Sequence, residues 1–181
     1  MILFESGGLA VRQLKAEDDV LLCRWLSDPA VLAYYEGRDR PQNLAAIRET
    51  FFNRKDEDTT CCIITYDNND IGYIQFYPIG EDERTEYGYS DFSGNIMGMD
   101  QFIGETVYWN RGIGTQLITA MKDFLQNHKH ADKIVMDPQV WNHRALRVYE
   151  KCGFIRKKLL PKHEWHEGEY RDCWLIEFDC R

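Results

Sequence analysis

Two neighbouring stretches decide the fold of this 181-residue chain: Gly98-Met99-Asp100-Gln101-Phe102-Ile103-Gly104-Glu105 and Trp109-Asn110-Arg111-Gly112-Ile113-Gly114-Thr115. The first lies in a strand, Ile96–Glu105. The second is a glycine-rich turn that opens a helix, Arg111–His128, with Ile113, Leu117, Met121 and Phe124 (or Leu125) recurring at helical spacing. That stripe is a core face. Glycine at 112 and 114 lets the backbone approach a ligand closely, and a helix start points unpaired N–H groups outward, so strand, turn and helix together suit a pyrophosphate. Glycine needed only for packing at a helix start is the competing reading.

Working outward, Lys133–Asp137 reads as a short buried strand stopped by Pro138. Asn142–Lys151 reads as a helix closed by Cys152-Gly153, with glycine in the C-cap position. Phe154–Leu160 and Asp172–Cys180 end the chain as strands. Upstream, Leu9–Leu14 is a first strand and Ala16–Leu26 a helix whose first turn holds Glu17, Asp18 and Asp19, where the helix dipole favours acids. Ser27-Asp28-Pro29 breaks it and starts a second short helix that runs into Tyr34-Tyr35-Glu36-Gly37. Leu44–Phe52 reads as helical. Cys61–Tyr66 and Ile71–Tyr77 are β-rich runs joined by the hairpin signal Asp67-Asn68-Asn69-Asp70. Residues 78–95 read as a solvated loop. Its acids (Glu81, Asp82, Glu83, Glu86 and Asp91) against one Arg84 also suit a lid that adds negative potential near a cationic substrate.

Length fits one α/β domain spanning 1–181, and 44% hydrophobic with 29% charged residues is an ordinary globular composition. No apolar run approaches the roughly 18 residues of a membrane span, and the N-terminal Met-Ile-Leu-Phe-Glu-Ser-Gly-Gly lacks a basic region and an apolar stretch of signal length. A cytoplasmic location is the expectation. Net charge of −8 weighs against nucleic acid and anionic membranes as partners and suits a cationic small molecule. Six cysteines form no C-x-x-C pair and read as free thiols packed as small hydrophobes. His163 and His166 stand three apart after a proline, not four apart as a zinc-binding helix requires, so no metal is expected.

The glycine turn is followed, at the distance of a β-α-β-α-β unit, by Asn142-x-x-Ala145-x-x-x-Tyr149-x-x-x-Gly153-Phe154. In that order the two segments resemble the GNAT superfamily of acetyl-CoA-dependent N-acetyltransferases, whose signature is Q/R-x-x-G-x-G/A. One departure is Trp109, in the slot usually filled by Gln or Arg. The segments from Gly98 and Trp109, with the tail Leu160-Pro161…His163-Glu164…His166-Glu167-Gly168…Asp172-Cys173, look like the aminoglycoside 6′-N-acetyltransferases, including the acetyltransferase half of the bifunctional acetyltransferase–phosphotransferase. A second departure is Glu36, where relatives often carry glycine after an aromatic pair. The likeness runs from Arg12 to about Phe178.

This resemblance implies an α/β (α+β) GNAT fold: a mixed, mostly antiparallel sheet of about six or seven strands flanked by helices and splayed at the acetyl-CoA site. It implies acetyl transfer to the 6′-amine of an aminoglycoside, hence a capacity for antibiotic resistance, in a monomer or homodimer. Acetyl-CoA would rest on Gln101, Phe102, Ile103, Arg111, Gly112, Ile113, Gly114, Thr115 and Asn142. Asp137 would hold a substrate ammonium, with a cap on the following turn as its bland alternative. Tyr34, Tyr35 and Glu36 would form the opposite wall.

The chemistry itself asks for a base. An alkyl ammonium is no nucleophile, and a carboxylate beside it favours binding of the cation and then removes its proton. Asp100 is the candidate, half-buried beside Met99 and Phe102, which would raise its basicity. A turn-capping carboxylate is the alternative. Strand N–H groups around Gln101–Ile103 would meet the developing oxyanion. Tyr149 matches the general acid of the superfamily, or else is a packing aromatic. Competing functions are a GNAT acting on a polyamine, a peptide N-terminus or a siderophore hydroxylamine, and a non-catalytic acetyl-CoA-binding module.

Overall fold

Three tight turns of one kind fold the strands back on themselves. In the computed structural model, which describes residues 1–54 and 58–181, Gly7-Gly8 (φ 52° and 85°), Asp67-Asn68 (48° and 63°) and Glu167-Gly168 (49° and 90°) each place two successive residues at positive φ. That is the twist of a two-residue hairpin turn, and Gly, Asn and Asp tolerate it best. The first turn joins β1 (Ile2–Ser6) to β2 (Leu9–Gln13), and the second joins β3 (Thr60–Tyr66) to β4 (Asn69–Pro78). The third joins β7 (Ile155–His166) to β8 (Glu169–Asp179). Between them stand β5 (Ile96–Ile103) and β6 (Lys133–Met136), and the eight strands form one sheet in the order β1-β2-β3-β4-β5-β6-β8-β7.

The sheet is mixed. Strands β1–β2, β2–β3 and β6–β8 pair antiparallel, while β5 and β6 pair in parallel, with Ile96, Met97 and Gly98 opposite Lys133, Ile134 and Val135. Eight strands among the described residues replace the expected six or seven. Residues Ile2–Ser6 escape a sequence reading because they are partly exposed and sit at the chain start. Strand β7 extends well beyond Leu160 because it is the last in the sheet: an edge strand tolerates Pro161 and shows no clean alternation, being exposed along most of its length.

Among the described residues six α-helices accompany the sheet: α1 (Asp19–Trp25), α2 (Pro29–Leu32), α3 (Leu44–Ile47), α4 (Glu81–Tyr87), α5 (Ile113–His128) and α6 (His143–Lys151). Helix α4 corrects the reading of 78–95 as a loop. Its seven residues present only Tyr87 to the core, so no apolar period betrays them, yet Glu81, Asp82 and Glu83 in its first turn and Gly88 after its end are sound helix signals. Arg84 then ties the returning chain by donating to the carbonyls of Phe92 (2.8 Å) and Gly94 (3.0 Å). No helix among the described residues is long and apolar enough to cross a membrane.

The fold divides into two compact units through which β4 and β5 run. One comprises Met1–Gln75, Gln101–Gly114 and His166–Gly168; the other, Phe76–Asp100, Thr115–Trp165 and Glu169–Arg181. The first unit is built on Leu22, Trp25, Leu26, Ile47, Ile63, Tyr73 and Phe102, and the second on Ile79, Tyr87, Ile96, Val135, Leu160 and Leu175. Each such side chain contributes about 1.5–3 kcal/mol on burial. In the first unit Asp18, read as a dipole-favouring acid, is buried instead and takes both Arg12 nitrogens at 2.8 Å.

Candidate active site

In the second unit, the parallel pairing of β5 with β6 sets up two acids. Gly98 lies opposite Val135. Asp100 follows Gly98 by two positions and Asp137 follows Val135 by two, so the two carboxylates occupy matching places at the carboxyl end of the paired segment, where α/β sheets gather ligands. Met99 is buried and Asp100 half-buried.

Both acids are oriented by tyrosines. Tyr77 Oη donates to Asp100 Oδ2 at 3.1 Å, and Tyr87 Oη donates to Asp137 Oδ2 at 3.0 Å. Burial, followed by the Asp100 and Asp137 charges, holds the Tyr77 phenol far above its ordinary value, and burial with Asp137 does the same for Tyr87. Both phenols are therefore permanent donors near neutral pH. Glycine at 98 is what admits Tyr77: a Cβ there would meet the Tyr77 ring at 2.6 Å and the tip of Ile79 at 2.9 Å. His163 completes the arrangement, with Nε2 2.7 Å from Asp137 Oδ2 and Nδ1 3.0 Å from Glu86 Oε1.

Helix α6 belongs to the same unit. Asn142, expected on the cofactor, caps this helix: its Oδ1 accepts from the Ala145 N–H at 3.2 Å. Tyr149 is half-buried, its ring edge-on to Phe154 with centroids 6.2 Å apart. Cys152, at the helix end, donates to the Thr115 carbonyl on α5 at 3.6 Å.

In the first unit, Phe102 is a core residue. Its ring packs against Trp25 (6.1 Å), Tyr35 (4.7 Å) and Tyr73 (5.8 Å), so any ligand contact from Phe102 falls to its backbone. The strand ends in a bulge, where the N–H groups of Gly104 and Glu105 both donate to the Ile71 carbonyl, at 2.8 and 3.0 Å. Trp109 is tied into this framework, since its indole N–H donates to the Ile103 carbonyl at 2.8 Å and its ring stands edge-on to Tyr34. Beyond it Asn110 (φ 58°) and Gly112 (φ 80°) take left-handed backbone, and α5 starts at Ile113, later than expected. Arg111 lies over the Tyr108 ring at 5.2 Å.

Tyr35 and Glu36 line a cavity of about 540 Å³ in this unit, together with Glu49, Phe51, Arg54 and Gln75. Glu36 has φ 69°, a backbone that costs a non-glycine residue roughly 1 kcal/mol and explains why glycine suits this place. Burial raises its carboxyl, against the pull of Arg40. Arg54 donates to Gln75 Oε1 at 3.0 Å, and Tyr73 Oη donates to the same oxygen at 2.8 Å.

Sequence reasoning missed Tyr77, Tyr87 and His163. Tyr77 carries a weak signal, as the last residue of the β-rich run Ile71–Tyr77, whereas His163 stands in the sequence as a rejected metal ligand and as part of the family-like tail. No group of three His, Cys, Asp or Glu among the described residues is arranged to hold a metal ion.

Comparison with known proteins shows which chains and folds this one is similar to. An aminoglycoside N(6′)-acetyltransferase type 1 of Klebsiella pneumoniae is 29% identical over 160 residues, covering 84% of this chain and 76% of its own length. An N-alpha-acetyltransferase of Saccharolobus solfataricus is 30% identical over 119 residues, covering 61% of this chain and 63% of its own. The fold matches that of the aminoglycoside acetyltransferase AAC(6′)-Ib solved with ribostamycin and coenzyme A, at a TM-score of 0.79 and 23% identity over 96% of this chain and 94% of the other. It also matches a Vibrio cholerae spermidine N-acetyltransferase solved with coenzyme A and spermine, at 0.78 and 18% over 96% of each. The model of the acetyltransferase (GNAT) domain matches residues 15–161, and the chain belongs to that family.

Proposed function

We propose that this chain transfers the acetyl group of acetyl-CoA to the 6′-amine of an aminoglycoside, as a single catalytic domain over residues 1–181. The observation that carries this reading is the pair Asp100 and Asp137, set at matching positions beyond a parallel strand pair, each held by a tyrosine hydroxyl. A substrate with several ammonium groups needs several carboxylates, and each such contact in a partly desolvated site contributes roughly 1.5–3 kcal/mol. The likeness to aminoglycoside N(6′)-acetyltransferases supports the same substrate class.

Acetyl-CoA supplies an activated thioester. Its pyrophosphate would rest on the turn at Arg111–Thr115, where the left-handed Gly112 has no atom within 4 Å of a notional Cβ and the helix start offers backbone N–H groups. Asp100 would bind the ammonium and then take its proton. Strand N–H groups near Gln101–Ile103 would stabilise the oxyanion, and Tyr149 would protonate the departing thiolate. Asp137 would hold a further ammonium of the substrate, and in the first unit Tyr35 and Glu36 are the candidate substrate contacts.

Gly112→Val tests the turn. A β-branched residue at φ 80° is strained, so acetyl-CoA affinity measured by calorimetry should fall roughly 10-fold or more in a folded variant. Unchanged affinity would move the cofactor elsewhere. Asp137→Asn should raise KM for the amine about 10-fold with little change in kcat, because it removes a binding charge and not the base. Acetylation across a panel of aminoglycosides, polyamines and N-terminal peptides decides the substrate. Kanamycin should gain one acetyl group by mass spectrometry, and an analogue with a 6′-hydroxyl should gain none. Acetylation of spermine or a peptide with kanamycin untouched would replace the aminoglycoside by that amine.

A further inference from the structure

His163 sits on β7 with both ring nitrogens on carboxylates, Nε2 against Asp137 at 2.7 Å and Nδ1 against Glu86 at 3.0 Å. A carboxylate only accepts, so both contacts are hydrogen bonds together only when both nitrogens carry protons. The ring is mostly buried and its position is fixed by Tyr87, whose ring centroid is 6.2 Å away and whose hydroxyl shares Asp137 Oδ2. Neither contact uses Asp137 Oδ1.

The other groups around this ring reinforce the pattern. From α4 come Glu86 and Tyr87, with Glu83 acting on Tyr87 and, across to β4, on Tyr77; from the turn after β6 comes Asp137. Tyr77 and Cys173, on β8, both feel the Asp137 charge, and Cys173 adds the influence of Glu164 and Asp172. Lys158, a cation on the same strand as His163, is anchored on the Glu86 carbonyl at 2.6 Å.

We propose that His163 is a specificity-determining counter-cation of the acceptor site: as imidazolium it neutralises Asp137, and on losing its proton it yields that carboxylate's charge to a substrate ammonium. This deepens the proposed function and rests on its assignment of Asp137. Protonation of His163 and amine binding at Asp137 are then antagonistic, and linkage makes the antagonism reciprocal. The hydrogen bond to Asp137 raises the imidazole above its ordinary value, burial opposes this, and Glu86 adds to it. The ring is therefore charged at mildly acidic pH and discharges as pH rises past its folded value. Amine affinity rises over that interval, until the substrate's own ammonium groups begin to lose their protons. A histidine is suited to this because its titration falls near physiological pH.

The test is calorimetry of kanamycin binding to the full chain saturated with coenzyme A, in buffers of different ionisation heat. The wild type should release a proton on binding, and its affinity should increase between about pH 6 and about pH 8 by roughly 5- to 20-fold more than that of His163→Gln, which keeps a donor to Asp137 without the charge. Equal proton release and equal pH slope in the two proteins overturn the proposal. Histidine-ring NMR of the folded wild type provides a second readout that needs no variant. Bound amine must lower the His163 titration midpoint, and an unmoved midpoint overturns the proposal. Spermine is the second probe. If it binds and kanamycin does not, the aminoglycoside reading falls and His163 is judged on spermine by the same readouts. Failure of both amines to bind at either pH overturns both.

Discussion

Asp100→Asn is expected to lower kcat for the amine by about 10²–10⁴-fold while acetyl-CoA binds as before. The substitution keeps most of the local structure. Asn and Asp have the same shape, and the amide oxygen can still accept from Tyr77, whose hydroxyl lies 3.1 Å from Asp100 Oδ2. The strand also keeps its pairing with β6 at residues 96–98. What disappears is the negative charge and the capacity to take a proton. An alkyl ammonium with a pKa of about 10 is overwhelmingly protonated near neutral pH, so without a base the reaction waits for the rare neutral amine. The activity of the variant should therefore climb with pH toward the intrinsic pKa of the amine, whereas the wild type levels off earlier. Thermal stability should change little, because the Tyr77 hydroxyl keeps an acceptor at this position. A variant that keeps wild-type turnover, folded and at neutral pH, would show that the proton leaves by another route, and Asp100 would then be a binding acid.

The fold was legible where period and punctuation agree. Helix α5 announces itself through Ile113, Leu117, Met121 and Leu125, all buried, and the hairpin at Asp67-Asn68 through residues that accept positive φ. It was illegible where neither cue applied. Helix α4 is polar at six of seven positions, and β7 is exposed over most of its length. The two acids of the candidate site could be singled out because Asp100 lies in a strand just before the expected cofactor segment and Asp137 ends a strand, both within family-like stretches. Their partners could not: Tyr87 and His163 reach Asp137 across 50 and 26 residues of chain, and only the packed sheet and α4 bring them there. Local sequence names the charged groups, while the tertiary fold decides what neutralises them. Glu36 shows the opposite case, since a departure from glycine in the sequence marks the very residue that holds left-handed backbone beside a cavity.

Tyr149→Phe is expected to lower kcat by about 10- to 1000-fold with acetyl-CoA affinity intact, the smaller end being the more natural for this leaving group. A thiol with a pKa of about 8.5 gives a thiolate that departs readily, so protonating it helps less than protonating an alkoxide or an amide nitrogen would. The substitution keeps the ring of Tyr149 and removes only its hydroxyl. Its ring meets Phe154 edge-on at 6.2 Å, a contact that phenylalanine reproduces, and α6 keeps its Asn142 cap at one end. Packing therefore predicts an unchanged melting temperature and turnover within a factor of about two. A general acid predicts the same melting temperature with slower turnover, and the loss should deepen as pH rises, since solvent supplies fewer protons to replace the phenol. Measuring kcat, coenzyme affinity and melting temperature on one preparation separates the two roles: a loss confined to kcat assigns the proton to Tyr149, and three unchanged values leave it as a packing aromatic on the helix.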